Sequence, residues 1–350
     1  MRAWLAQLSI PFREPFATSA GVVAARDLLL LRVEGDDGFV GYGEAAPFAP
    51  YDGISTEAVA QALRDGSEAS APARSALEMA LLDLDGRRTG RPIGEPGAEA
   101  IAVNRTLPAG PPEEVARHAE DGVRAGFSCF KVKVGLPDDR ARVAAVREAI
   151  GPWPAVRLDA NGAWRADQAV AALEELSAYD VQLVEQPCRT LEEMALVRHS
   201  VGVPVAADES VHAPDDVRAA SALEACDVVN VKLAPSGGFR AARETLRAAA
   251  AHGLGAYLSS TLDGPWGIAA ALQLAASERV SLACGLATLE LFDASIAHAL
   301  PSPADGLQQV PQGPGLGIDV DDRVLAEVLV DEEELAVASW PRRDAPSPSG

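Results

Sequence analysis

The chain has 350 residues, 48% of them hydrophobic, enough to build a large buried core and unlike a disordered or fibrous protein. A formal net charge of −21 argues against nucleic acid or an anionic membrane surface as a partner, since both reward Lys and Arg. A soluble acidic surface is the plain reading of that charge, and an anionic substrate stays open wherever a divalent metal reverses the local sign.

In chain order, residues 1–12 lack the apolar core of a signal peptide. No apolar run approaches the roughly 20 residues that span a bilayer, so a cytoplasmic protein is expected. Residues 27–34 read as a strand, Gly35-Asp36-Asp37-Gly38 as a turn and residues 39–44 as a second strand, a hairpin pattern. Residues 56–65 and 72–86 follow as helices, the second carrying Ala76, Leu77, Ala80, Leu81 and Leu84 at helical spacing. Residues 1–98 therefore read as an α+β lobe.

A new rhythm begins near residue 100. Strand-like runs at 100–104, 129–134, 155–159, 181–185, 204–208, 227–233, 256–260 and 281–285 alternate with Ala-rich helical stretches such as 167–177 and 239–252. From the second run on they recur about every 25 residues, the size of one strand, one helix and two loops. Such alternation predicts a parallel sheet, and eight runs predict a closed α/β barrel, (β/α)8 or TIM-type, over residues 99–300. A doubly wound open sheet is the competing architecture, but no G-x-G-x-x-G follows an early strand. The four cysteines, Cys129, Cys188, Cys226 and Cys284, form no C-x-x-C pair and read as buried free thiols in a reducing compartment. Residues 301–317 are rich in Pro and Gly; the 301–338 segment is expected to return to the first lobe, with 339–350 a disordered tail.

In a parallel barrel the chemistry gathers at the C-terminal ends of the strands. Lys131 and Lys133 lie two apart on the second run and share a face. The third run ends in Asp159, with Asn161 just beyond; the fourth ends in Glu185, the fifth in Asp208, and the sixth carries Lys232. Each alone has a dull alternative, an N-cap for the acids or a snorkelling stem for the lysines. Together they place carboxylates on three successive strand ends, whose repulsion would be costly without a cation. Oxygen donors without nearby His or Cys predict a hard cation, Mg²⁺ or alternatively Mn²⁺. Lys133, beside Lys131 and near such a cation, is expected to be partly neutral and able to act as a base. Lys232 is four strands away and faces it across the mouth. The set suits removal of a proton next to a carboxylate, with the resulting enediolate stabilised by cations.

These residues resemble the muconate-lactonizing subgroup of the enolase superfamily over nearly the whole chain. The resemblance implies a modified barrel with a capping domain built from both ends of the chain. It implies Asp159, Glu185 and Asp208 as Mg²⁺ ligands, Lys133 as base, Lys131 as its support and Lys232 as the opposite lysine. It also implies substrate contacts from Ser259, Arg157, Asn161 and Gly285, and from Ser19 in a capping loop at 13–21 that would close over the substrate with a second loop at 47–53. For Ser259 and Arg157 the alternative is hydrogen bonding within the barrel layers. The subgroup includes cycloisomerases, dipeptide epimerases, N-succinylamino acid racemases and o-succinylbenzoate synthases. The stretches 258–271 and 283–287 look like those of the synthases of menaquinone biosynthesis, and residues 285–289 lack the acidic pair with which dipeptide epimerases hold an ammonium. The resemblance therefore favours dehydration of a small-molecule carboxylate, with an isomerase as the alternative. A non-enzymatic scaffold is disfavoured by the intact polar set, and a homo-oligomer is compatible with the sequence. Trp266 either packs on the barrel or shapes the pocket.

Overall fold

The computed structural model describes residues 1–18, 21–67 and 69–336. Its strands are β1 (Arg2–Thr18), β2 (Gly21–Glu34), β3 (Val40–Ala45), β4 (Ala100–Ala102), β5 (Arg105–Thr106), β6 (Cys129–Lys133), β7 (Ala155–Asp159), β8 (Val181–Glu185), β9 (Val205–Ala207), β10 (Val228–Val231), β11 (Gly255–Leu258), β12 (Leu307–Gln309) and β13 (Leu329–Leu335).

The first lobe is an antiparallel sheet in the order β13-β1-β2-β3, so the end of the chain supplies one edge of a sheet begun at Arg2. The expected hairpin is β2–β3, closed by Gly35 donating to the Phe39 carbonyl at 2.9 Å, with Gly38 in the left-handed region at φ 82°. The long β1 has no counterpart in the strands read from sequence. Pro11 breaks its pattern, and the pairing with β2 shifts register between Pro11 and Phe16.

Four consecutive leucines in β2 explain how this lobe is glued on both faces. Side chains alternate along a strand. Leu28 and Leu30 therefore join the core shared with the barrel, while Leu29 and Leu31 join a separate core with Val59, Leu63, Ala76 and Leu84 of helices Thr56–Arg64 and Ala71–Thr89. On β3 the same alternation puts Gly41 and Gly43 against helix Ala71–Thr89. A Cβ at Gly43 would lie 1.9 Å from the Ala76 carbonyl, so glycine is what permits this approach.

The second lobe is a parallel sheet in the order β11-β10-β9-β8-β7-β6-β5. The predicted first and eighth strands both need correction. The run 100–104 is split: β4 pairs antiparallel with β12, and only Arg105–Thr106 joins the parallel sheet. The run 281–285 forms no strand; two bridges, Val103 with Cys284 and Ser259 with Gly285, complete the ring between β11 and the first position. The fold is a modified (β/α)8 barrel with an α+β capping domain. Helix Pro265–Ser277 is buried along its length from Pro265 to Ala276 because it is wedged between barrel and capping sheet. Trp266 lies in that interface, its ring 6.2 Å from Tyr42 of β3. No helix among the described residues is long and apolar enough to cross a membrane, and all four cysteines are buried and free. The predicted tail at 339–350 lies outside the described residues.

Candidate active site

Strand register assembles the site. Lys131 pairs with Arg157, and one layer higher Lys133 pairs with Asp159, which in turn pairs with Glu185. Asp208 stands one residue beyond β9, and Lys232 one beyond β10. In the sheet order β6 and β10 are four strands apart, so Lys133 and Lys232 occupy opposite sides of the mouth. Asp159, Glu185 and Asp208 are almost completely removed from solvent.

Each of these carboxylates is held by a lysine. Lys131 Nζ bridges Asp159 Oδ2 at 2.9 Å and Glu185 Oε1 at 3.1 Å. Lys133 Nζ donates to Asp159 Oδ2 and to Asn161 Oδ1, both at 2.7 Å. Lys232 Nζ donates to both Asp208 oxygens, the bond to Oδ2 being 2.5 Å. The repulsion expected from the bare carboxylates is thus answered by three lysine side chains that donate to them. Burial alone would push the Lys131 ammonium down, but Asp159, Glu185 and Asp208 outweigh it and hold it above its ordinary value. Burial opposes the Lys232 ammonium in the same way, but Asp208, Glu209 and Glu185 together outweigh it and raise Lys232. Burial also opposes ionisation of Asp159, yet Lys131 and Lys133 hold it well below the usual carboxylate range. Glu185 goes the other way: burial raises it, and the charges of Asp159 and Asp208 reinforce burial against the pull of Lys131.

Several partners carry no signature in the sequence. Tyr257 donates to Glu185 Oε2 at 2.7 Å and Asn230 to Glu185 Oε1 at 3.0 Å. Gln186, buried directly after Glu185, accepts from the Asp208 amide at 2.9 Å and donates to Ser210 Oγ at 2.6 Å, which sets the backbone from which Asp208 projects. Its place beside an acidic strand end is the one signal that could have found it. Tyr51 comes from the 47–53 loop of the capping lobe. Its hydroxyl donates to Asp208 Oδ1 at 3.0 Å, and Lys232 Nζ lies 3.9 Å from its ring centroid. The second capping loop therefore reaches the barrel mouth. Ser19, assigned to the first loop, lies outside the described residues.

The remaining expected contacts divide. Asn161 sits at the mouth with left-handed backbone (φ 45°), accepting from Lys133 and donating to Glu209 Oε1 at 2.9 Å. Ser259 and Gly285 face each other; a Cβ on Gly285 would come within 2.8 Å of the Ser259 Cβ. Ser259 Oγ is buried with no hydrogen-bond partner, as are Asn104 Oδ1 and Asn230 Oδ1. Such atoms cost about 1–3 kcal/mol each and mark a place where a polar ligand would be welcome. Arg157 instead fills the barrel interior one layer deeper, donating to Gln182 Oε1 at 2.7 Å and the Ala283 carbonyl at 2.6 Å, with its guanidinium 4.8 Å from the Tyr257 ring. These bonds lie within the barrel layers, and through Tyr257 Arg157 steadies Glu185, while its Nη2 has no hydrogen-bond partner.

The residues fit a hard divalent cation by donor chemistry: three desolvated carboxylates on adjacent strand ends, each already balanced by positive charge. Lysine side chains stand among their oxygens, Lys131 between Asp159 and Glu185 and Lys232 on Asp208.

A modified barrel with a capping lobe and acidic and lysine side chains at its strand ends defines a class of barrel enzymes. The chain belongs to the enolase superfamily, matching the family described as Enolase C-terminal domain-like over residues 114–324. It is 36% identical over 338 residues to the o-succinylbenzoate synthase of Thermobifida fusca, covering 95% of this chain and 93% of that one. Among solved structures it resembles the N-succinyl Arg/Lys racemase of Bacillus cereus, with TM-score 0.89 and 25% identity over 96% of this chain and 99% of that one. A dipeptide epimerase of Enterococcus faecalis, solved with Mg and the dipeptide L-Leu-L-Tyr, is also similar, with TM-score 0.84 and 26% identity over 91% and 99% of the two chains.

Proposed function

We propose that this enzyme is an Mg²⁺-dependent o-succinylbenzoate synthase, dehydrating a 2-succinyl-6-hydroxycyclohexadiene carboxylate to an aromatic product. The observation that carries this reading is the end of the eighth barrel position. There Gly285 packs on Ser259 and Thr288 shares a 2.7 Å hydrogen bond with Ser260, and residues 285–289 offer only neutral groups and no carboxylate for a substrate ammonium. The similarity to the Thermobifida fusca synthase supports the same choice.

Asp159, Glu185 and Asp208 would hold the metal, with Mn²⁺ as a substitute. When bound, Mg²⁺ supplies Lewis-acid stabilisation of the charge that develops on the substrate carboxylate. Lys133, aimed by Asn161, takes the α proton in its neutral form. The electron pair left behind gives the enediolate. Lys133, now an ammonium, returns that proton to the leaving hydroxyl on the same face; the C–O bond breaks, water departs and the ring becomes aromatic. Lys232, tied to Asp208 and Tyr51, stays protonated and contributes charge from the opposite face.

Racemisation or epimerisation of N-acylamino acids or dipeptides, or cycloisomerisation, is the second reading. It is favoured by the same opposed pair, Lys133 and Lys232, which can serve two faces of one carbon. An ultraviolet assay with the cyclohexadiene substrate and MgCl₂, run beside ²H exchange of N-succinylamino acids and dipeptides, decides between them. Aromatic product with slow exchange supports the synthase. Rapid α-deuterium exchange without aromatic product refutes it.

A further inference from the structure

We propose that Glu14, Glu114 and His118 form a peripheral divalent-metal site of zinc type, pinning capping strand β1 to the first barrel helix. This goes beyond the barrel chemistry and does not depend on it. Among the described residues, these three are the His, Cys or acidic side chains whose ligand atoms all lie within 4.8 Å of one another. Glu114 and His118 lie one turn apart on helix Pro112–Arg124 and so share a face. Glu14 arrives from the other lobe.

One observation beyond proximity points to a ligand. His118 Nε2 is shielded from solvent and has no hydrogen-bond partner, a lone pair or N–H left idle. Its nearest acid is Glu14 Oε2 at 3.6 Å, too long for a hydrogen bond. That spacing is close to the roughly 3.4 Å expected between two ligands of a tetrahedral ion with bonds of about 2.0–2.2 Å. The approach is also prearranged. Glu14 lies in the irregular stretch of β1 between Pro11 and Phe16, and Phe12 of that stretch is already docked on the barrel segment at Phe292, ring centroids 5.0 Å apart. One imidazole and two carboxylates are a borderline donor set, suited to Zn²⁺ with water completing four ligands, and unlike the all-oxygen set in the barrel mouth.

The test is calorimetric titration of the full-length chain with ZnCl₂ in excess MgCl₂, comparing wild type with His118→Ala and Glu14→Gln. Wild type should take up one more equivalent of zinc than His118→Ala. Glu14→Gln, at an exposed position, should weaken that equivalent by more than the about 10–100-fold that loss of an outer-shell partner costs. X-ray absorption at the zinc edge should find one imidazole nitrogen on the extra ion in wild type. Equal zinc stoichiometry and affinity in wild type and Glu14→Gln, or an extra ion without imidazole, overturns the proposal.

Discussion

Glu44 couples the stability of the two lobes to pH in a direction opposite to that of most carboxylates. It projects from β3 into the interlobe interface, where its oxygens accept from the amides of Gly264 at 2.7 Å and Gly267 at 3.2 Å, at the start of helix Pro265–Ser277. Burial, reinforced by the charge of Asp263, pushes its carboxyl from an ordinary 4.5 up to about 8, despite those amides and nearby Arg26. Between these two values the folded protein keeps a proton that the unfolded chain has released. Stability therefore falls as pH rises through this window and levels off above about pH 8, with a slope of at most about 1.4 kcal/mol per pH unit from this group. Taken over the whole window, the rise corresponds to about 5 kcal/mol. Asp263, raised mainly by burial, adds in the same direction. Urea unfolding followed by circular dichroism from about pH 5 to about pH 9 should give this decline in wild type and a flatter profile in Glu44→Gln, whose amide cannot titrate. The same slope in both proteins refutes the assignment, whatever their absolute stabilities.

Lys133→Ala should lower kcat by on the order of 10²–10⁴-fold in either the ultraviolet or the exchange assay, since it removes the base. Lys232→Arg should retain dehydration if Lys232 acts only as a cation, and should end racemisation if it exchanges protons. Gln186→Ala should weaken Mg²⁺ binding roughly 10–100-fold, read by calorimetry, because it loosens the Asp208 backbone without touching substrate. Gly43→Ala should destabilise the fold by about 1–3 kcal/mol in urea unfolding, because its Cβ would collide with the Ala76 carbonyl and force β3 off helix Ala71–Thr89.

The sequence by itself determined the features with local period or local chemistry. Alternating strand and helix runs specified the barrel, and the acids of β7, β8 and the end of β9 were visible because a polar residue at the end of an apolar strand stands out from its neighbours. The lysines of β6 were legible for the same reason, two residues apart on one face. What the tertiary structure decided depends on residues distant in the chain. Pro11 hid β1, whose continuity comes from pairing with β2 and β13. The 281–285 run lacks the ladder of a strand and closes the ring through two bridges alone. Tyr51, Tyr257 and Asn230 look like ordinary loop or core residues until folding sets them on Asp208 and Glu185. Arg157, similar in sequence to a pocket residue, is held in the barrel interior because its position in the pleat lies one layer below Asp159. Trp266 was ambiguous because either role needs only a large apolar surface, and only the approach of β3 decides which surface it covers. Pattern along the chain records which way each side chain faces; what it meets there is settled by packing between segments that the pattern does not connect.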